Sequence, residues 1–423
     1  MKYKLSFIIT AGLIWLLCGY SSNLAVAQDV DYAHKMINQL AGSSMYGRGY
    51  EFHGDRIAAE FLSEEFRKAG LVSLTDSYFQ PFTFPMNTFE RQIVVKADQN
   101  ILVPGDEYLV ARSSCPTEGT FQLVMLLNDS LAHSGRLEEL LSQNLKKKVI
   151  VTDKYHRELR NMKKLNCAGM VFVGGEKIIW GASDGNKVKK HFVLDVTENA
   201  IPINADSLYI NINPRFHRKH RTQNVVGMIP GLSQPDSFLV FTAHYDHLGM
   251  MGDSLCFPGA NDNASGTAMV LNLAHYFSMP ENRPAMSMMF ILFAGEEAGL
   301  LGSLYYTEHP IIPLKQIRFL INLDMVGTGS DGITVVNGKI YPEIVNMVQI
   351  NTEKQYLAQV KMRDVSNNSD HAPFYLHGVP AVFIYTRGKE HLEYHNPADK
   401  ANVLPLTKYE GLFRLLTDFV STF

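Results

Sequence analysis

The stretch MMFILFAGEEAGLLGS, residues 288–303, gives the clearest indication of the fold. Its first half is an apolar run typical of a buried strand, and its last residues begin a predicted helix. Strands that alternate with helices are typical of an α/β fold. Glu296 and Glu297 lie at the junction, directly after Gly295. Carboxylates at the end of such a strand indicate a site at the edge of the sheet, although both could simply favour the positive N-terminus of the helix.

Similar runs continue through the second half of the chain. Predicted strands occupy residues 238–242, 288–293, 319–323, 333–336 and 381–385. Predicted helices lie between several of them, at residues 266–277 and 298–308. The sequence therefore predicts a sheet with helical connections from about Asn224 onward.

Side chains of types that bind metals follow these strands. His244 and Asp246 follow one strand in FLVFTAHYDHLG (238–249), and Asp324 ends another in IRFLINLDMVG (317–327). A carboxylate such as Asp246 could fix the second nitrogen of a metal-bound imidazole; alternatively, the pair only caps a strand end. Asp324 follows so apolar a run that its burial without a partner would be costly. The carboxyl ends of the strands are thus predicted to form a metal site.

Two loops add further candidates. Asp262 lies in the turn PGANDNASGTA, where a carboxylate could bridge two ions or cap the following helix. His395 follows Tyr394 in the loop EYHNPAD, and His391 lies four residues before His395. A tyrosine hydroxyl beside a metal ligand could donate a hydrogen bond to an oxyanion. Spacing alone does not decide between the two histidines.

The candidate set exceeds what one catalytic zinc needs, since such an ion normally takes three protein ligands. Two imidazoles and three carboxylates are available beside Glu296: His244, Asp262, Glu297, Asp324 and His395. They suit two zinc ions that share a bridging carboxylate, with a further carboxylate left as a base. The sequence therefore predicts a two-metal hydrolase. Which of the adjacent glutamates is the base stays open at this point.

The first half of the chain has a different texture. Residues 31–42 and 54–70 have helical periodicity, whereas residues 91–212 contain short strand-like runs separated by polar turns. Because this segment contributes none of the candidate metal ligands, it is interpreted as an inserted domain. The basic cluster RFHRKHR, residues 215–221, is interpreted as a solvated connector.

The N-terminus has the pattern of a secretory signal peptide. Two lysines precede a short apolar run, and Ala25-Val26-Ala27 offers a cleavage site. We expect cleavage after Ala27 and export to the periplasm or the extracellular space. Lipoprotein anchoring at Cys18 is disfavoured, because Leu17 is bulky where that processing favours a small residue.

The remaining composition excludes several classes of protein. A net charge of -3 provides no field that would attract nucleic acid. After the signal, no segment approaches the ~18–20 apolar residues of a membrane span. Cys115, Cys167 and Cys256 remain, so at most one disulfide can form.

Taken in order, the motifs AHYDHLG, PGANDNASGT, FAGEEAGLLGS, NLDMVG, SDHAPF and YHNPAD resemble those of the M28 family of zinc aminopeptidases. The resemblance covers about Asn224 to the C-terminus and also MYGRGYEFHGDRIAAEFLSEEFRKAGL near the start. It implies a three-layer α/β/α sandwich around a mixed sheet, residues 28–90 and 221–423, with a protease-associated-like insert at 91–220. One departure is the longer stretch GMMGDSLCF (249–257), which we expect to reshape the pocket.

The resemblance also implies a role for each candidate residue. One zinc would be bound by His244 and Asp324 and a second by Glu297 and His395, with Asp262 as the bridge. Glu296 would be the general base, Asp246 would orient His244, and Tyr394 would donate to the oxyanion. The implied substrate is a peptide with a free N-terminus.

Three alternatives remain. A glutaminyl cyclase or a carboxypeptidase-like enzyme could use the same fold, and a cyclase would need only one zinc. A non-catalytic binding ectodomain would be expected to lose ligands or the base, whereas all six residues are present here.

Overall fold

The computed structural model describes residues 30–127, 142–153, 159–160 and 165–423. The predicted signal peptide, with its cleavage site after Ala27 and the alternative anchor at Cys18, lies outside the described residues. No helix among the described residues is long and apolar enough to cross a membrane. Cys115, Cys167 and Cys256 are all free thiols.

The strands and helices are numbered in chain order. The strands are β1 Phe79–Thr88, β2 Val94–Ala97, β3 Asn100–Ile101, β4 Tyr108–Val110, β5 Thr117–Leu126, β6 Lys148–Thr152, β7 Gly169–Val173, β8 Phe192–Val196, β9 Ser207–Ile212, β10 Arg215–Ile229, β11 Gln234–His244, β12 Gly249–Met251, β13 Leu255–Phe257, β14 Met286–Phe293, β15 Ile317–Leu323, β16 Ile333–Val336, β17 Val360–Met362 and β18 Ala381–Thr386. The α-helices are α1 Val30–Leu40, α2 Gly54–Lys68, α3 Gly266–Ser278, α4 Leu301–Glu308, α5 Glu343–Lys354, α6 His371–Leu376 and α7 Tyr409–Val420.

The first sheet has eight strands in the order β1-β10-β14-β11-β15-β18-β16-β17. Its four central strands, β14, β11, β15 and β18, run parallel to one another. The outer strands β1, β10 and β16 pair in antiparallel fashion, so the sheet is mixed. Because the central strands are parallel, their carboxyl ends lie along one edge, where open α/β sheets place their sites.

Both faces of this sheet are buried, and alternate residues of β14 point into different apolar clusters. One cluster contains side chains of α3 and α7 together with Met288, Phe290 and Leu292. The other contains side chains of α4 and α6 together with Met289, Ile291 and Phe293. A strand covered on both faces needs a continuous apolar run. The predicted α/β sandwich around a mixed sheet is confirmed.

Among the described residues, a second sheet of eight strands has the order β3-β2-β9-β5-β6-β7-β8-β4, and its strands lie between Val94 and Ile212. It lies in sequence between β1 and β10, which are neighbours in the first sheet, with Phe79 opposite Val225 and Thr88 opposite Arg215. The chain therefore leaves the first sheet after β1 and returns to it at β10.

The interpretation of residues 215–221 as a connector is wrong. These residues form the first half of β10 and pair with β1, so residues 215–220, expected in the insert, lie in the first sheet. His220 is buried and its Nε2 lies 2.7 Å from Asp55 Oδ2, whereas the neighbouring Arg221 is exposed. A strand with one solvated face can hold many basic residues. Here the run of basic residues concealed the change from exposed to buried positions along the strand.

Candidate metal centre

The candidate residues come together at the carboxyl ends of the central strands. His244 is the last residue of β11, and Asp324 follows β15 directly. Glu296 and Glu297 follow β14 after Gly295, whose φ of 72° is a conformation that glycine adopts without strain. These side chains thus lie at the carboxyl ends of their strands, as the sequence predicts.

Asp262, Tyr394 and His395 reach the same place from outside the sheet. Asp262 lies in the tight turn Ala260–Ser265, which precedes α3. Tyr394 and His395 lie in the loop between β18 and α7, and residues 387–400 of this loop have no helix or strand.

The first of two groups surrounds His244. Its Nε2 lies 3.3 Å from Asp262 Oδ1 and 3.4 Å from Asp324 Oδ1. Potential ligand atoms of all three residues lie within 4.8 Å of one another. Ser369 donates a 2.9 Å hydrogen bond to Asp324 Oδ2, which leaves Oδ1 directed at His244. We call this cluster the His244 group.

The second group lies on the other side of Asp262. His395 Nε2 is 3.0 Å from Asp262 Oδ2 and 3.2 Å from Glu297 Oε2. Asp262 therefore presents one carboxylate oxygen to each of the two imidazoles. We call the cluster of Glu297 and His395 the His395 group.

His247, which the sequence does not single out as a candidate ligand, also belongs to this neighbourhood. It is fully buried, and its Nδ1 lies 2.7 Å from Glu297 Oε1. Potential ligand atoms of His247, Asp262 and Glu297 lie within 4.8 Å of one another. Its position three residues after His244, in the same strand-end segment, was the only sequence signal for it.

The two late histidines have different surroundings. His391 Nε2 lies 2.9 Å from Asp399 Oδ1, so His391 is paired away from the two groups. The Asp399 carboxylate accepts the backbone N–H groups of Asn261 and Asp262 at 2.9 and 3.0 Å. His391 and Asp399 thus support the turn that positions Asp262, while the imidazole of His395 faces the carboxylates.

Asp246 contacts more groups than the His244 imidazole that it was expected to orient. Its carboxylate accepts the Tyr50 hydroxyl at 2.8 Å and the backbone N–H groups of Glu296 and Glu297 at 3.2 and 3.4 Å. His244 Nδ1 lies 3.1 Å from the backbone carbonyl oxygen of Asp246 and 3.8 Å from its carboxylate. The carbonyl group, rather than the side chain, is therefore the nearer partner of His244.

The two adjacent glutamates have opposite electrostatic environments. Burial raises the pKa of Glu296 well above its usual value, and the charge of Glu297 adds to this effect against the opposing charge of His244. Burial would also raise the pKa of Glu297, but His395 and His247 outweigh it and hold that pKa at about 2. Pairs of acids whose pKa values are pushed apart are typical of acid–base sites.

The donor set fits a bound cation. Glu297 Oε1 and Asp324 Oδ1 are buried oxygens that face imidazole nitrogens, of His247 at 2.7 Å and of His244 at 3.4 Å, without a well-aligned hydrogen bond in the described part of the chain. Burial opposes protonation of His395, yet Glu297 and Asp262 raise the pKa of His395 to about 11, which reflects an excess of negative charge. Imidazole and carboxylate are ligands that suit zinc.

The comparison with protein families agrees with this geometry. Residues 224–420 match the sequence profile of Peptidase family M28. This part of the chain belongs to peptidase family M28. Both groups and His247 lie within the M28 segment.

Several known proteins match part of the chain. Aminopeptidase YwaD of Bacillus subtilis is 33% identical over 190 residues, which are 42% of this chain and 39% of that protein. Leupeptin-inactivating enzyme 1 of Streptomyces exfoliatus is 31% identical over 169 residues, 38% of this chain and 35% of that protein. The matched segments thus span less than half of these relatives.

Solved structures match the chain over most of its length. A zinc aminopeptidase from Bacillus subtilis has a TM-score of 0.72 and 21% identity, covering 93% of this chain and 95% of that one. The aminopeptidase from Aneurinibacillus sp. strain AM-1 has a TM-score of 0.67 and 18% identity, covering 94% of each chain. The likeness extends over both sheets and establishes the shared fold.

Proposed function

We propose that this protein is a zinc-dependent aminopeptidase with two zinc ions that share Asp262. One observation carries the proposal: Asp262 directs Oδ1 at His244 and Oδ2 at His395. His244 and Asp324 would hold one ion, and Glu297 and His395 the other. The names of the relatives, aminopeptidase and zinc metalloprotease, support this assignment.

Zinc at these positions would polarise the scissile carbonyl and make water acidic enough to be a nucleophile near neutral pH. Glu296 is the general base in this proposal, because burial raises its pKa above the usual value of a carboxyl group whereas His395 and His247 lower that of Glu297. Glu296 takes the proton of the attacking water and returns it to the leaving amine. Its backbone N–H is fixed by Asp246, which limits how far the carboxyl group can move.

Tyr394 would stabilise the negative charge that develops on the carbonyl oxygen. Its ring stacks on the His395 ring at a centroid distance of 3.8 Å and 41% of the residue is exposed. Burial and the surrounding carboxylates raise the pKa of Tyr394 well above its usual value, so the hydroxyl keeps its proton. A protonated hydroxyl beside the metal centre can donate to an oxyanion.

The excess of carboxylates also supports cleavage at the chain end. A free α-amino group is a cation at neutral pH, and the site offers buried acids to pair with it. A peptide with a blocked N-terminus lacks this charge. We therefore propose peptides with a free N-terminus as substrates.

The second sheet fits the role of the protease-associated-like insert, because the chain enters and leaves it between two neighbouring strands of the first sheet. Export of the protein after cleavage near Ala27 stays part of the proposal.

The proposal is tested with a panel of aminoacyl chromogenic substrates, their N-blocked counterparts and peptides with N-terminal glutamine. Wild type should cleave the unblocked substrates and contain about two zinc ions per chain. Glu296→Gln should lose about a hundredfold to ten-thousandfold in kcat, whereas the exposed control Glu353→Gln should retain full activity.

Three results would contradict the proposal. Cleavage of blocked substrates alone would exclude an aminopeptidase. Cyclisation of N-terminal glutamine with one zinc per chain would identify a cyclase. Zinc binding without turnover of any substrate would favour a binding ectodomain.

A further inference from the structure

The His395 imidazole is held from the second sheet. Its Nδ1 lies 2.9 Å from the backbone carbonyl oxygen of Trp180, and the Trp180 N–H donates to the His395 carbonyl oxygen at 3.0 Å. Trp180 lies in the segment between β7 and β8. Two hydrogen bonds thus join one residue of the insert to one residue of the candidate metal centre.

Trp180 is itself fixed on three sides. Its Nε1 donates a 2.7 Å hydrogen bond to the carbonyl of Val110, the last residue of β4. Its ring stacks on Phe257 at 4.7 Å, and the guanidinium of Arg112 lies 4.2 Å from the ring centroid. Only 3% of the residue is exposed. The carbonyl that faces His395 is therefore held by a packed ring rather than by a free loop.

The partners of Trp180 come from separate parts of the chain. Phe257 lies in β13, within the stretch that is longer than the family pattern. Arg112 forms a buried ion pair with Glu51, in which Nη1 lies 2.6 Å from Oε1, and also donates to the Leu248 carbonyl oxygen. The β12–β13 hairpin thus contacts this ring directly, and the N-terminal segment is joined to it through Arg112.

The chemistry of imidazole explains why this contact matters. A carbonyl oxygen can only accept, so the proton of His395 must reside on Nδ1. On metal binding Nε2 would lose its proton and present its lone pair on the side of Asp262 and Glu297, which is the form of histidine that binds a metal. Groups that hold the second nitrogen fix both the tautomer and the ring orientation.

We propose that Trp180 is a positioning residue for His395, so that the insert completes one half of the metal centre. The inference rests on the proposed role of His395 as a zinc ligand. The His244 group needs no such help, because the partner of His244 Nδ1 is the carbonyl of Asp246, two residues along the same segment. A substitution that removes the packing of Trp180 should therefore lower the zinc affinity of the His395 group and leave that of the His244 group unchanged.

A second contact joins the same two segments. Lys177 Nζ lies 2.9 Å from Glu393 Oε1, two residues before His395. The Lys177 side chain is 72% exposed, so this pair contributes little on its own. Lys177→Ala is nevertheless useful, because it weakens the contact without disturbing the buried ring.

The test is a zinc titration of the metal-depleted full chain against a competing chelator dye. Trp180→Ala should weaken one of two zinc sites by about tenfold and leave the other as in wild type. The matched control is Phe172→Ala, since Phe172 is also a buried ring of the second sheet beneath a guanidinium, that of Arg160 at 4.3 Å. It should lower Tm without changing either zinc affinity.

A double-mutant cycle separates positioning from general destabilisation. In the His395→Ala background, Trp180→Ala should have no further effect on zinc affinity, because the residue through which it acts is gone. Trp180→Phe keeps an apolar ring and should lie between wild type and Trp180→Ala. Lys177→Ala should lower the zinc affinity of the His395 group by less than about threefold. Trp180→Phe and Lys177→Ala are milder changes, so they keep the test decisive if Trp180→Ala does not fold.

The inference is wrong if Trp180→Ala and Trp180→Phe behave like Phe172→Ala, if both zinc sites weaken equally, or if the effects of Trp180→Ala and His395→Ala add. A wild-type protein that binds fewer than two zinc ions, or that cleaves no unblocked substrate, would instead contradict the proposed function.

Discussion

His244 and His395 face the two oxygens of the same carboxylate, but the chain brings them there in different ways. His244 ends a central strand and is paired in register with Phe293 of β14. His395 lies in a loop without regular structure, has a φ of 51°, and is held by a residue of the second sheet. One imidazole is positioned by the hydrogen bonds of the sheet and the other by contacts between distant segments.

This difference indicates which part of the site is robust. Strands buried on both faces open only when the whole domain unfolds, whereas loops can open locally. A ligand at the end of a central strand is therefore pre-positioned as soon as the sheet forms. The His395 group, in contrast, depends on the correct packing of the insert against the peptidase sheet.

The largest expected effect comes from the residue that both groups share. Asp262→Ala should abolish tight binding of both zinc ions and lower kcat/KM by at least about a thousandfold, because several kcal/mol of charge stabilisation are lost. Metal content and kcat/KM measure this, with the exposed Asp253→Ala as control. Retention of one tightly bound zinc would contradict the assignment of Asp262 as the bridge.

A smaller loss of activity is expected when only the loop residue Tyr394 is changed. Tyr394→Phe removes the hydroxyl but keeps the ring that stacks on His395, so zinc content should stay constant. We expect kcat to fall about a hundredfold with little change in KM, since the hydroxyl acts only on the developing oxyanion. Tyr209→Phe in β9 is the matched control. An increase in KM at constant kcat would assign Tyr394 to substrate binding instead.

Substitution of His247 tests which histidine of the His395 group is a zinc ligand and which only fixes Glu297. If it only fixes Glu297, His247→Gln should weaken one zinc by about tenfold, far less than His395→Ala, which removes a ligand. Zinc affinities of the two variants decide the question. A larger loss with His247→Gln than with His395→Ala would make His247 the ligand and overturn the assignment.

The smallest effect concerns the support of Glu296. Burial raises the pKa of Asp246 to about 6, and the Tyr50 hydroxyl opposes this rise. Tyr50→Phe should therefore raise that pKa further, so that more Asp246 is protonated as the pH falls through this range. The loss in kcat should be about fivefold near pH 6 and should vanish at higher pH. A loss that is independent of pH would contradict this account.

The strand-end half of the site was predictable from the sequence. Apolar runs long enough to be buried on both faces marked β11, β14 and β15, and the polar residues that follow them had to emerge at one edge. Edge strands were harder to recognise. In β1 the apolar residues Phe82, Phe84 and Met86 alternate with more exposed ones, but Pro81 and Pro85 obscured a pattern that an edge strand tolerates.

The loop half was not predictable in the same way. The choice between His391 and His395 depends on the position of Asp399, and loop packing has no periodic signal in the sequence. Trp180 contacts His395 through its backbone carbonyl, which every residue type possesses. The presence of a tryptophan at this position therefore predicts a buried ring but not the contact with His395. His247 gave no separate signal because it follows a stronger candidate in the same segment.

The most direct test of the two-zinc centre is anomalous diffraction at the zinc edge from crystals of the zinc-loaded protein. We expect two zinc peaks on opposite sides of Asp262, one beside His244 and Asp324 and the other beside Glu297 and His395. A single peak, or a second zinc bound by His247 with the His395 imidazole turned away, would contradict it.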